Sequence, residues 1–498
     1  MDEHSDTGRI GSFWLSPSRE VMGSLVLSGR DSHLRLFSDE QLPHSVPDHM
    51  SGLLHDGTRV TLIGCILTQT RNHHHEGRSR SEAEVFPHFS VEGSIEFSPN
   101  SPIVTSVSMF IEDATSLFYD LDAFGAVMEP APIMAQIAVR DPRPRPVPVG
   151  PDAQIAYFAG QRRIASATTL LGTLQVSHCP GMPFGGPKGV AISNEVCIEL
   201  GFDSPTYFHD AFDRSQRILS FLELLIGRQQ AIRRQYFLVE EKPLRVHWSH
   251  APRRKLDRHD RDTSPQPADL LVVAADQRDE FASMLKRWVE TDGDRQQARQ
   301  RFHSLFVKGN RFGVDRLVAA ANIFDIFPSI AAGSQPQLSP DLKKACADAK
   351  YTFKALPQSY ERDSVLNALG RVGKPSLKHK VKARVAVLRA RAPTRFPQLE
   401  DIVELAVDCR NYFVHGTPPK IGSSAIEQLV PFLTETLEFV FACADLCDCG
   451  WSFEEFLQRG TTMSHPFGSY KVNYSDQIRM MQGLVDAAKQ GAADKATD

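Results

Sequence analysis

The spacing of apolar residues changes once along this chain, near residue 270, and that change constrains what each side of it can fold into. Before it, apolar and polar residues alternate over short runs, as half-buried β-strands require. Such runs occupy residues 11–15 (Gly-Ser-Phe-Trp-Leu), 23–27 and 33–37, and a β-branched run at 59–67 follows the turn signal Asp56-Gly57. Residues 85–91 and 105–111 repeat the pattern, 154–200 return to it, and 238–249 predict a final strand pair. A short helix is expected over 113–124. A longer one should open at Ser204-Pro205 and close near Gly227, with Phe208, Phe212, Ile218, Phe221, Leu222 and Leu225 on its apolar side. Proline-rich stretches at 140–148, 180–187 and 252–267 read as connectors. The glycines of the second lack the lysine and hydroxyl order of a phosphate loop.

After residue 270 the spacing is helical almost to the end. Helices are predicted over 281–289, 299–306, 312–327 and 339–356, the last opened by Ser339-Pro340. Further helices should start near Asp363, cover 378–391, begin again at Pro397, fill the long apolar stretch 423–446, and end with a short one at 451–457. The expected fold is therefore α+β and multidomain. A β-rich domain over 1–269 precedes an all-α bundle over 270–487, and 488–498 form a frayed polar tail.

Composition restricts the function classes. With 41% hydrophobic and 23% charged residues the chain is an ordinary globular one, and a net charge of −4 requires any basic site to be local. No apolar run approaches the ~20 residues that span a bilayer. The opening residues Met1-Asp2-Glu3-His4 are acidic and polar, unlike a secretory signal, so a cytoplasmic location without a membrane partner is expected. The eight cysteines form no C-x-x-C unit, and Cys443, Cys447 and Cys449 on or after an apolar helix read as buried thiols. His73, His74 and His75 are expected on a polar loop, and three adjacent histidines cannot all face one metal on regular structure. Neither a metal nor a cofactor is expected.

The chemistry concentrates in Arg410-Asn411-Tyr412-Phe413-Val414-His415-Gly416. Leu405, Val407, Tyr412, Phe413 and Val414 suggest a helix packed on more than one side, with Arg410 and His415 at the margin of the buried surface. Gly416 followed by Thr417-Pro418-Pro419 terminates it. Asn411 and His415, four apart, share a face, and Arg410 flanks it. The negative end of the helix dipole favours a protonated His415 by a few tenths to ~1 kcal/mol. A histidine able to change charge beside a permanent cation suits acid–base chemistry on a phosphodiester. Spacing alone fits a surface arginine and a C-capping histidine at least as well. Just upstream, from 371 to 395, nine Lys or Arg occur with no acid. Lys374, Lys378, Lys380, Lys382 and Arg384 there form a candidate phosphate track, the alternative being a solvated face. Asn322 and Asp325, on a helix otherwise rich in Ala, Ile and Phe, either reach toward the motif or sit on an outward edge.

Arg410, Asn411 and His415 closing a helix in an all-helical region resemble the active-site motif of HEPN-domain ribonucleases. The order of domains extends the resemblance. Gly11-x-Phe13-Trp14, Gly23-x-Leu25, Leu34-x-Leu36 and Val60-Thr61-Leu62, followed by such a domain, resemble the ApeA-type anti-phage proteins. The resemblance implies an abortive-infection effector that cleaves RNA, tRNA being the foremost candidate. The N-terminal domain would answer a phage-derived trigger, and a homodimer would form through the HEPN domain. Cleavage would be metal-independent: the 2′-hydroxyl attacks its own phosphate, His415 transfers protons, Arg410 holds the phosphate, and Asn411 orients one or the other.

Three other readings compete. HEPN toxins silenced by a nucleotidyltransferase carry a tyrosine two residues after the motif histidine, where this chain has Thr417. A non-catalytic HEPN scaffold binding nucleic acid or nucleotide is disfavoured by the intact Arg/Asn/His set. A hydrolase using a metal at His73 to His75 lacks the accompanying carboxylates.

Overall fold

The computed structural model of the protein describes residues 8–75, 78–140, 150–183, 187, 189–252, 265–328, 338–417 and 421–497. The chain divides into two compact units, residues 1–286 and 287–498. Most of the connectors expected at 140–148 and 252–267, and part of that at 180–187, lie outside the described residues.

In the first unit six antiparallel strands close on themselves. They are β1 (Arg9–Ser16), β2 (Arg19–Val26), β3 (His33–Ser38), β4 (His49–Leu54), β5 (Arg59–His75) and β6 (Arg78–Gly93). The order around the ring is β6-β3-β2-β1-β4-β5, and β5 pairs again with β6, so the barrel has no free edge. Alternate side chains fill the interior, among them Phe13, Val21, Leu25, Leu34, Leu36, Met50, Leu62 and Val85. Burying each of the larger ones contributes about 1.5–3 kcal/mol. Phe13 fits because Gly52 stands opposite: a Cβ there would lie 2.6 Å from the ring.

Strand β6 serves two sheets. Near its start it pairs with β3 through Leu34 and Val85, and near its end with β14 (Lys242–Trp248) through Val246 and Val91. The second sheet continues from β14 through β13 (Ile232–Val239), β7 (Val104–Ile111), β12 (Ser193–Thr206), β11 (Gly172–Gly181) and β10 (Arg163–Thr169). β8 (Phe124–Val127) and β9 (Ile155–Phe158) form a separate ribbon. Helix α3 (Phe208–Ile226) packs on the second sheet, its Phe208 ring 5.1 Å from Phe89 and 5.3 Å from Phe237. Gly227, at φ 92°, caps it and donates its N–H to Glu223 O.

Local details differ from the sequence expectations. The helix expected over 113–124 is one turn, α1 (Ala114–Leu117), because Asp120 Oδ1 takes the Asp122 N–H in a turn ahead of β8. Ser204-Pro205 does not open α3. Strand β12 runs on past a bulge to pair Thr206 with Val104, and Tyr207 takes the N-cap place. His73 to His75 are not in a loop but close β5, whose ladder with β6 extends to His75 and Arg78. A helix not expected, α2 (Ala131–Arg140), follows Pro130.

Helix α4 (Arg278–Glu290) spans the division between the units. The second unit then holds α5 (Asp292–Phe306), α6 (Val314–Ile326), α7 (Pro340–Ala355), α8 (Tyr360–Arg371), α9 (Leu377–Arg391), α10 (Leu399–His415), α11 (Ser423–Asp448), α12 (Phe453–Gln458) and α13 (Pro466–Thr497). Ser339 caps α7 by accepting the Leu342 N–H. Helix α11 is the axis, packed against α5, α6, α9, α10 and α13 through buried Phe432, Phe439 and Phe441 among others. Its carboxylates tie the surrounding helices down. Glu438 takes Nε and Nη2 of Arg316, both at 2.8 Å. Asp445 takes Arg299 Nε at 2.8 Å and also Arg295, while Asp448 takes Arg384 at 2.8 Å. The helical pattern does not end at 457 as expected: α13 follows and takes in residues assigned to a frayed tail. Tyr470 and Tyr474 anchor it, the Tyr470 ring lying 4.4 Å from Phe439.

Candidate active site

Helix α10 owes its position to one apolar face. Leu399, Ile402, Val403, Ala406, Val407 and Cys409 are buried at helical spacing, and the helix packs against α6, α9 and α11. Glu400 and Asp401 in its first turn complement the dipole, and Gly416, at φ 69°, stops it with its N–H on Tyr412 O. The buried face ends at Cys409. Tyr412 and Phe413 are half-buried and Val414 is 44% exposed, so the last turn lies at the margin of the buried surface.

In that exposed turn the motif side chains meet. Arg410 Nη1 lies 3.0 Å from His415 Nε2 and donates to Asn411 Oδ1 at 3.1 Å. Because a guanidinium can only donate, Nε2 of His415 accepts, which places the proton of the neutral ring on Nδ1. The opposite edge of Arg410 is held from α6: Nε and Nη2 both donate to Asn322 Oδ1, at 3.2 and 2.9 Å. Of the two orientations the sequence left open for Asn322, the structure has the inward one. Asp325, one turn on, instead pairs with Lys380, at 3.6 Å.

The cations upstream are distributed differently. Lys378 pairs with Asp408 at 2.6 Å, Lys382 with Glu404, and Arg389 with Glu400, so α9 and α10 are laced along their length. Lys380 also donates to Asp325 O at 2.8 Å. A run of one sign in sequence is thus met by acids from before and after it in the chain that face it in space. Arg384 is buried, paired with Asp448, and lies 4.9 Å from the centre of the Phe327 ring, a position that holds α9 to α11. Lys374 is exposed. Nothing in the sequence announced the pairing of α9 with α10 or the buried carboxylates of α11, since each joins residues far apart in the chain.

Among the described residues no three His, Cys, Asp or Glu side chains come together as a metal would need, and no helix is long and apolar enough to cross a membrane. The buried thiols of Cys409, Cys447 and Cys449 are each pushed up to about 12 by burial.

Two family models match the chain. One, described as ApeA N-terminal domain 1, covers residues 8–288, and the other, described as Apea-like HEPN, covers 318–455 and so includes the Arg410 to His415 turn. Neither a curated protein nor a solved structure matches.

Proposed function

Since the chain belongs to the ApeA family, with an ApeA-like HEPN domain, we propose that it is an anti-phage effector whose HEPN domain cleaves RNA, tRNA being the foremost substrate. The observation that carries this reading is the contact of Arg410, Asn411 and His415 in an exposed helix turn. The other arginines described above in this unit are each paired with a carboxylate, so their charge is already met. The charge on Arg410 is not.

The chemistry follows from the groups. The nucleophile is the RNA's own 2′-hydroxyl, so no nucleophilic side chain is required. His415 Nε2, whose one lone pair accepts from Arg410 in the resting site, takes the 2′-hydroxyl proton as the O2′–P bond forms, once Arg410 Nη1 has turned to the phosphate. Arg410 offsets charge building on the non-bridging oxygens. The P–O5′ bond breaks, and the leaving 5′-oxygen needs a proton from a second acid. One chain presents one such histidine, so the reading includes a homodimer that pairs two motif turns. Half-buried Tyr412 and Phe413 and exposed Val414 offer an apolar surface beside the site for that contact. The products are a 2′,3′-cyclic phosphate and a 5′-hydroxyl.

Lys374, Lys378, Lys380 and Lys382 contribute an electrostatic path for RNA, weakened at Lys378, Lys380 and Lys382 by their acidic partners, whereas Arg384 acts through the bundle. The N-terminal domain, 1–269 with the strands above, answers a phage-derived trigger, and the helical domain, 270–487, carries the chemistry.

Incubating total tRNA with wild-type protein and the His415→Ala variant in EDTA, with and without lysate of infected cells, tests the reading. Chelator-resistant cleavage lost in the variant is the expected result. Cleavage that survives in the variant would move the chemistry elsewhere, and RNA binding without cleavage under any condition would make the domain a scaffold.

A further inference from the structure

Carboxylates of α11 hold Arg295, Arg299, Arg316 and Arg384. Glu438 grips the Nε/Nη2 edge of Arg316 with two bonds of 2.8 Å. Arg410 is gripped on the same edge, at 3.2 and 2.9 Å, but by the amide oxygen of Asn322. The donor geometry is alike and the charge is not. A carboxylate fixes a guanidinium and neutralises it, whereas an amide oxygen fixes it and leaves the positive charge in place.

We propose that Asn322 is a positioning residue for the RNA-cleaving site: it sets the plane of the Arg410 guanidinium, aims Nη1 at His415, and preserves the charge that meets the phosphate. This inference rests on the function proposed above. The fold supplies the rigidity it needs. Leu317, Ala320, Ala321, Ile323 and Phe324 bury α6 on both sides of Asn322, and α6 packs directly against α10 and α11. The Asn322 oxygen is therefore fixed by the core rather than by a loop, and a side chain held by packing positions its partner with little reorganisation. A purely structural role, tying α6 to α10, would be served equally by aspartate. The difference between the two residues is the discriminating quantity.

The experiment compares wild type, Asn322→Asp, Asn322→Ala, Arg410→Ala and His415→Ala in one cleavage assay over a range of RNA concentrations up to saturation, alongside thermal melting. In Asn322→Asp the carboxylate can take the same two bonds, so melting should hold, yet kcat should fall on the order of tenfold or more because the guanidinium is neutralised. Its pH–rate profile should also move to higher pH, since a nearby negative charge favours the imidazolium. Asn322→Ala should lose kcat rather than raise KM. If Asn322→Asp cleaves as wild type does while Arg410→Ala and His415→Ala are dead, the role of Asn322 is overturned and the site stands. If those two variants cleave normally, the reading of the site itself fails. Independently of turnover, the Arg410 Nε–H should be protected from solvent exchange in wild type and exposed in Asn322→Ala. Equal protection in both would overturn the inference.

Discussion

Arg410 Nη1 lies 3.0 Å from His415 Nε2, although the two residues are five apart and their helical directions diverge by about 140°. The long arginine side chain closes that gap, and it can do so only while the histidine ring is neutral and able to accept. Arg410→Lys keeps the charge but not the planar fork, so it cannot hold Asn322, Asn411 and His415 together. We expect kcat for RNA cleavage to fall by about 10²-fold with little change in melting temperature. Activity near wild type in Arg410→Lys would mean that charge alone suffices.

Asp445 is buried on α11 between Arg299 and Arg295. Burial pushes its pKa up, but Arg299, then Arg295 and Arg384, outweigh that and hold it below the usual carboxylate range. A depressed carboxylate contributes stability that is present above its unfolded pKa and is lost as pH falls through the folded one. Asp445→Asn leaves buried arginines without their counter-charge and should cost about 3–5 kcal/mol, read by denaturant unfolding of the helical unit. The variant should also lose the acid-side slope.

Glu435 shifts the opposite way. Burial, then its neighbour Glu438, push it up to about 7, with Arg316 opposing. Its folded pKa lies above its unfolded value, so its contribution is full below the usual carboxylate range and is lost as pH rises through about 7. Glu435→Gln should flatten the stability of the helical unit between roughly pH 5 and 7. An unchanged pH–stability curve in that window would place the titration in another group.

In the β-rich unit Cys179 and Cys197 lie on neighbouring strands. A hydrogen bond from Cys197 lowers the Cys179 thiol to about 7, against the effect of its partial burial, while Cys65 is pushed up to about 12 by burial. Brief alkylation with iodoacetamide at neutral pH should therefore mark Cys179 before Cys65, Cys409, Cys447 or Cys449. Cys197→Ala, which removes the donor, should slow that labelling.

Much of this was legible in the sequence because it is local. The change of apolar period separates strands from helices, Gly416 marks the end of α10, and Ser339-Pro340 marks the start of α7. The pair Arg410 and His415 could be found because both lie within two turns of one helix. What joins distant segments could not be read. The barrel closes through β6, which also founds the second sheet, and no pattern within β6 announces two partners. Lys378 and Lys382 read as free cations because Asp408 and Glu404 arrive only in the next helix. Helix α13 was missed although Phe467, Tyr470, Tyr474, Ile478 and Met481 are spaced to bury one face, because polar residues and glycines between them dilute the signal. Asn322 was visible as a polar residue on an apolar helix, but its direction depended on where α10 lies.

The central claim is that His415 and Arg410 transfer a phosphate to the RNA's own 2′-hydroxyl. Mapping both ends of the tRNA fragments made by the wild-type protein tests it most directly. The account predicts a 2′,3′-cyclic phosphate on one fragment and a 5′-hydroxyl on the other. Fragments ending in a 3′-hydroxyl and a 5′-phosphate would contradict it, because they require water rather than the ribose as nucleophile.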